Sequence, residues 1–238
     1  ELIGTSPYKP NPAGFALHGA IHSAREDLHC VMHAHTTPMS AVAQKAGGLS
    51  HDNFYGAQLT GRVGYHTFEG ITLFDDERER MLKSLGNGDV LVLRNHGVAV
   101  GAPDIPRAFM LLWTVQRACE IQCAAGGIPG ADTPLPDHVR QQCVDSSKDL
   151  IAVSSFARLF FDAAVRRAGA VRVTTIGQLV AAADALAAKV RPRGDRLAIV
   201  TNGGGPGVMA ADRAADLGLP LATLSAATID VLQQALPS

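Results

Sequence analysis

Apolar and polar positions alternate with two different periods along the first 125 residues, and the period assigns each stretch. In "NPAGFALHGAIHSARED", Phe15, Leu17, Ala20, Ile21 and Ala24 share a broad face of a 3.6-residue repeat, and the opening Asn-Pro supplies a start, which predicts a helix. "LHCVMHAH" predicts a buried strand. "TTPMSAVAQKAGG" predicts a second helix, with Thr36 or Thr37 as cap, Pro38 in the first turn and glycines at the end. "GRVGYHTFEGITLF" is strand-like with glycine interruptions. "DDERERMLKSLGNGD" is a charged amphipathic helix stopped by Gly-Asn-Gly, its charge run reading as a solvated face. "VLVLRNHGVAVGA" predicts two strand segments around a turn. A long helix from Ile105 to about Ala124 carries Phe109, Leu112, Val115, Cys119 and Ile121.

The pattern changes after that helix. "AAGGIPGADTPLPD" is a glycine- and proline-rich linker. "FARLFFDAAVRRAG" predicts a helix, "AVRV" a short strand, and "TIGQLVAAADALAAK" an alanine-rich helix. "RLAIVTNGGGPGVMAADRAADLG" then reads as strand, glycine loop and helix. "LPLATLS" and "AATIDVLQQAL" add another strand and helix. Strict alternation of strand and helix is the mark of a parallel α/β unit. Two domains are therefore expected, 1–145 and 152–238, with the join near "CVDSSKDLIAVSS".

Composition narrows the classes of function. Hydrophobic residues make up 47% and charged residues 18% of the 238 positions, an ordinary globular composition. A formal net charge of −1 with no basic stripe argues against nucleic acid or an anionic membrane as partner. Apolar runs are broken well before the ~20 residues of a membrane span, and "ELIGTSPYKPNPAG" lacks the pattern of a signal peptide. The chain has no initiator Met, which suggests that it begins inside a longer gene product. The four cysteines, Cys30, Cys119, Cys123 and Cys143, form no C-x-x-C pair. Cys119 and Cys123 read as small core residues on one helix face, and a cytoplasmic location with reduced thiols is expected.

The candidate chemistry sits in "CVMHAHTTP". Side chains on a strand alternate between its faces, so His33 and His35, two apart, leave on the same side. A third histidine, His96, lies in "RNHG", where a strand meets a turn. Three histidines with one position left for water or substrate are a catalytic zinc arrangement, although imidazole also suits iron, copper and nickel. The bland alternative is satisfied or exposed histidines. His29, His51 and His138 read as surface residues.

The ordered run "NPAGFALHGAIHSARED", "VMHAHT", "GYHTFEGI", "DERERMLKSLG", "LRNHG" and "RACEIQ" resembles the class II aldolase/adducin family from about residue 10 to 140. The resemblance implies an α/β/α layered domain with a mostly antiparallel sheet, and a divalent metal, usually zinc, on His33, His35 and His96. It also implies a homo-oligomer, commonly a tetramer, with active sites near subunit interfaces. Aldol cleavage leaves an enolate, whose charge the metal stabilises while a nearby base moves a proton. In aldolases of the family that base is a glutamate four residues ahead of the position of His18. Gly14 stands there in this chain, as in an adducin-like branch, and Glu26 and Asp27 lie at the far end of the same helix. Family members also carry a longer N-terminal portion with phosphate-binding loops; this chain starts after it, so one sheet edge is expected to be unpaired. His18 and His22 flank the pocket or serve the helix surface, and His66 matches a family motif.

A second resemblance covers about residues 156 to 238. "FDAAVRRAGAVRVTTIGQLVAAADALA" and "PRGDRLAIVTNGGGPGVMAADRAADLGLPLATLS" are similar to the CoA-ligase part of NDP-forming acyl-CoA synthetases. That implies a small parallel flavodoxin-like unit in which Gly203, Gly204, Gly205 and Gly207 form an anion-accepting loop; a tight βα turn is the simpler reading. The family's phosphohistidine position falls near Leu150, and the chain has no S-H-T-G motif. The leading expectation is a metal centre holding Zn²⁺ or another divalent ion such as Fe²⁺. Its chemistry would be carbon–carbon lyase or epimerase chemistry on a small hydroxy-carbonyl compound. Against it stand a non-catalytic adducin-like module, a CoA- or nucleotide-binding fragment, and a metal-dependent oxygenase.

Overall fold

The computed structural model describes residues 11–70, 76–152, 154–188, 194–201 and 204–235. It divides into two compact units, 1–171 and 172–238. The first holds four strands: β1 (Cys30–Ala34), β2 (Val63–His66), β3 (Val90–Leu93) and β4 (Gly97–Ala102). They form one mixed sheet in the order β1-β4-β3-β2, with β1–β4 and β3–β4 antiparallel and β2–β3 parallel. The helices are α1 (Pro12–Ala24), α2 (Thr37–Ala43), α3 (Phe54–Ala57), α4 (Asp76–Leu85), α5 (Ile105–Ala125), α6 (Asp137–Ala152) and α7 (Ser154–Arg167).

Strand alternation sorts the core into two layers. Val90, Val92, Val98 and Val100 point to one face, where they meet Met39 and Val42 of α2 and Leu111, Val115 and Cys119 of α5. Leu91, Leu93 and Ala99 point to the other, against Leu17 and Ile21 of α1 and Met81 and Leu85 of α4. Covered on both sides, the central strands read as unbroken apolar runs in the sequence. Each large side chain so buried contributes roughly 1.5–3 kcal/mol relative to exposure. This is the expected α/β/α sandwich.

Several local expectations change. The buried stripe of α5 runs through Ala108, Leu111, Val115, Ala118 and Cys119, while Phe109 turns to the rings of Phe160 and Phe161 on α7. Cys119 is buried, and its thiol is pushed up to about 12 by burial, but Cys123, one turn further on, is exposed. On α1, Phe15 and Ala24 are exposed rather than buried. "CVDSSKDLIA" lies inside α6, and α7 packs back on α5, so the compact unit runs on to Val171.

The second unit contains α8 (Ile176–Ala187), α9 (Gly204–Asp216) and α10 (Ala226–Ala235). The expected parallel sheet is reduced, among the described residues, to a single parallel bridge, Leu197 with Leu221. "AVRV" forms no strand. A strand pair is marginal without further strands and a covering layer. Among the described residues Val200 is 95% exposed and α8 and α10 bury no residue.

Candidate metal centre

His33, His35 and His96 come together at one end of the sheet. His33 sits near the end of β1, and His35 follows just past it. His96 lies in the three-residue connection between β3 and β4, which pair so that Leu93 faces Gly97. The atoms the three imidazoles offer lie within 4.8 Å of one another. His35 Nε2 stands 2.6 Å from His33 Nε2 and 3.0 Å from His96 Nε2.

The sequence "RNHG" makes this connection for separable reasons. Asn95 adopts a positive φ of 56°, the left-handed region that asparagine tolerates better than most residues. Gly97 leaves room for β1: a Cβ there would meet the Ala34 carbonyl oxygen at 2.5 Å and His35 Cδ2 at 2.9 Å. The His96 carbonyl accepts from Ser40 Oγ at 2.9 Å, and Asn95 N donates to the Ala43 carbonyl at 3.2 Å, which ties the turn to α2. Arg94 completes the attachment, donating to the Lys45 and Ala46 carbonyls with its guanidinium 4.4 Å from the Tyr65 ring centre. The other end of α2 is capped by Thr36, directly after His35, and the same hydroxyl donates to Gln116 on α5.

The proton inventory tests whether the three rings suit a cation. His33 Nδ1 lies 3.0 Å from the Val98 carbonyl, which can only accept, so Nδ1 carries the proton and Nε2 presents a lone pair. His35 Nε2 has at most one proton to divide between two neighbouring Nε2 atoms. Neutral rings therefore cannot make two linear hydrogen bonds at these two contacts. A positive centre between the three lone pairs satisfies all of them. Two ligands on a tetrahedral ion with bonds of ~2.0–2.1 Å stand about 3.3 Å apart, so the 2.6 Å and 3.0 Å contacts would open slightly around an ion.

Electrostatics favour the neutral, ligating form. The pKa of His33 is lowered to about 4, chiefly by burial, with His35, His96 and His18 adding to the effect. His96 is lowered by burial and then by His35, against an opposing pull from Glu77. His18, on α1, is itself lowered by burial and by His22. Linkage gives a sign. A histidine whose folded pKa lies below the unfolded value of 6.5 adds stability that is present above pH 6.5 and is lost as pH falls toward 4. Discounted for the part of the ring that solvent reaches, the loss for His33 is on the order of 2 kcal/mol. Denaturant melts of chelator-treated protein at pH 7 and pH 4 should show that excess loss against His33→Asn; equal losses would refute the assignment.

The other expected sites fare differently. Gly14 lies in the first turn of α1, where a Cβ would meet only Asn11 Cγ at 4.0 Å, so the helix has room for a side chain and carries none. His22 and His29 are exposed, and His138 likewise, but His51 is half-buried and donates from Nδ1 to the Gly56 carbonyl at 2.8 Å. Gly203 lies outside the described residues. Gly204, Gly205 and Gly207 form the first turn of α9, and a Cβ on Gly204 or Gly205 would meet nothing within 4 Å. No close approach requires glycine at those two positions.

The charge run on α4 is only partly solvated. Glu77 is 5% exposed and accepts from His66 Nε2 at 3.2 Å, and His66 is itself 4% exposed. The spacing of Glu77, Met81 and Leu85, four apart on one face, was the available signal.

Comparison with known proteins fits this architecture. A family model described as the Class II Aldolase and Adducin N-terminal domain matches residues 1–123. The chain is 35% identical over 147 residues to a Pseudomonas aeruginosa protein carried under an aldolase class 2 name, covering 62% of this chain and 55% of that one. It is 38% identical over 126 residues to human beta-adducin, covering 51% of this chain and 17% of adducin. An aldolase II superfamily protein from Pseudomonas syringae superposes with a TM-score of 0.56 at 37% identity, covering 59% of this chain and 57% of that structure. The chain thus spans about half the length of the aldolase-type relatives it matches. The glycine segment of α9 lies outside the matched domain, and no helix among the described residues is long and apolar enough to cross a membrane. By its first half, this chain belongs to the class II aldolase and adducin family.

Proposed function

We propose that His33, His35 and His96 form a divalent-metal centre of the aldolase type, serving carbon–carbon bond chemistry on a small hydroxy-carbonyl compound. The observation that carries the reading is the convergence of three Nε2 atoms within 4.8 Å at the mouth of one sheet, with the protons of neutral rings unable to serve the contacts between them. Zinc or ferrous iron suits an all-imidazole set with a remaining open position. A bound divalent ion supplies Lewis-acid stabilisation of the negative charge that develops on a carbonyl oxygen. The residues do the rest. Val98 holds the His33 ring in one tautomer, and Ser40 and Arg94 fix the turn that carries His96. His35, the exposed member, faces the solvent from which a substrate would come.

A second reading has its own observation. Gly14 supplies no carboxylate where family resemblance marks the proton-moving glutamate, and beta-adducin is among the relatives. That combination favours a module that holds metal without turnover, acting through partners. Elemental analysis of the purified chain tests the shared premise: about one zinc or iron per chain is expected. Absence of metal after reconstitution would end both readings. Turnover assays on small hydroxy-carbonyl compounds then separate enzyme from module.

A further inference from the structure

We propose that the aromatic cavity walled by α3, α5, α6 and α7 is a binding site for an uncharged, flat aromatic compound. Its volume is about 450 Å³, within the range of small-molecule sites. It is separate from the three-histidine centre, since its lining includes none of His33, His35 and His96. The matched family domain ends at residue 123, inside α5, so the walls from α6 and α7 lie beyond it.

The walls are largely rings. Tyr55 of α3 stands edge-on to Trp113 of α5, with 5.4 Å between ring centres, and Trp113 stands edge-on to Phe160 of α7 at 5.0 Å. Phe54 extends the row, 5.1 Å from Tyr55. Met110 and Leu111, both buried, line the cavity from the core side of α5. Packing among the rings is incomplete: Phe54 is 69% exposed, Phe156 45% and Trp113 36%. Aromatic side chains left wet around one concavity hold apolar area that a ligand of matching shape removes from water.

The polar groups decide the charge of the occupant. Among the described lining residues Arg62 is the charged one, and its guanidinium is engaged. Its Nε donates to Asp89 Oδ1 at 3.0 Å, its Nη2 to Oδ2 at 2.5 Å, and its Nη1 to the Gln58 carbonyl at 3.4 Å. An anion would have to compete with that pair, and a cation meets no carboxylate among these residues. The Thr114 hydroxyl donates to the Met110 carbonyl at 2.9 Å, the Ser147 hydroxyl to the Val144 carbonyl at 2.8 Å, and the Gln58 amide to the Phe54 carbonyl at 2.9 Å. These donors are turned to their own helices. Gln142 and Ser146 of α6 are exposed and offer an amide and a hydroxyl at the open side. A neutral ring system with a polar group at its outer end fits this distribution.

The test uses the full chain and three probes. N-phenyl-1-naphthylamine is neutral, 8-anilino-1-naphthalenesulfonate is the same skeleton with one negative charge, and trimethylphenylammonium is a cationic competitor. Trp113 is the only tryptophan in the chain, so quenching of its emission reports a probe near the cavity wall. Alkylation of Cys143, which lines the cavity, against exposed Cys123, which does not, gives a position-specific readout by peptide mass. The neutral probe is expected to saturate at about one per chain with a Kd of roughly 10–100 μM and to quench Trp113. It should slow alkylation of Cys143 about fivefold or more and leave Cys123 unchanged. The sulfonate should bind about tenfold more weakly, and the ammonium should not displace the neutral probe. Cys143→Phe, which fills the cavity, should abolish saturable binding. If that variant loses its helical circular dichroism, Ser146→Tyr, at an exposed position, narrows the opening and carries the same expectation. Equal or tighter binding of the sulfonate, displacement by the ammonium, or neutral-probe binding that leaves Cys143 alkylation unchanged overturns the proposal. So does Cys143 protection that grows with protein concentration in the absence of probe, together with a dimer in sedimentation velocity: a second copy of the chain is then the occupant.

Discussion

Replacing His35 with alanine is expected to abolish metal uptake at the proposed centre while leaving the fold nearly untouched. His35 Nε2 is the atom that both other rings approach, at 2.6 Å and 3.0 Å, so its loss leaves two imidazoles about one ring apart with nothing between them. Affinity should fall by more than about a hundredfold, beyond the effect of altering a partner behind a ligand. Stability should change by about 0.5 kcal/mol, because His35 is exposed and lies past the end of β1. His33→Ala would be a poorer probe, since it also leaves the Val98 carbonyl without its donor. Elemental analysis beside a denaturant melt reads both quantities. A variant that keeps about one ion per chain would show that His35 is no ligand.

Gly97→Val should do the reverse, damaging fold and site together. Valine suits a strand by propensity, so a gain is the naive expectation. The added Cβ would nevertheless stand 2.5 Å from a backbone oxygen of β1, which cannot swing aside as a side chain tip could. Relief requires β1 to move away from β4, and β1 carries His33 in the register His33 opposite Ala99. A loss of about 3 kcal/mol is expected, with metal content falling in step, measured by the same melts and analyses. A variant within 1 kcal/mol of wild type and fully loaded would show that the strands tolerate the separation.

The two substitutions also show which parts of the site the sequence exposes. The period-2 rule places His33 and His35 on one side, and the run "VLVL" declares a strand covered on both faces. The arrival of His96 depends on a turn whose residues can be rationalised one by one, although their juxtaposition with β1, over 60 residues away, is not in any local pattern. Glu77 was hidden by its neighbours. Among the described residues of "DDERER", Asp76, Glu79 and Arg80 are exposed and Arg78 is half-buried, and Glu77, the buried one, differs only by its spacing to Met81 and Leu85. The second unit failed in the opposite way. Its alternation of apolar runs is strong, but a strand exists only when a partner and a covering layer exist, and residues such as Val200 have neither.

The strand order has a consequence for the time at which the site matures. β3 and β4 are joined by three residues and can pair early, whereas β1 must return to β4 across most of the domain. Closing a loop of the 61 residues that separate His35 from His96 costs about 3.6 kcal/mol in chain entropy beyond a constant, so β1 docks after the hairpin has formed. A cation bridging the two segments at the proposed centre would then act as a late staple, doing nothing for the nucleus of folding and holding β1 against β4 in the folded state.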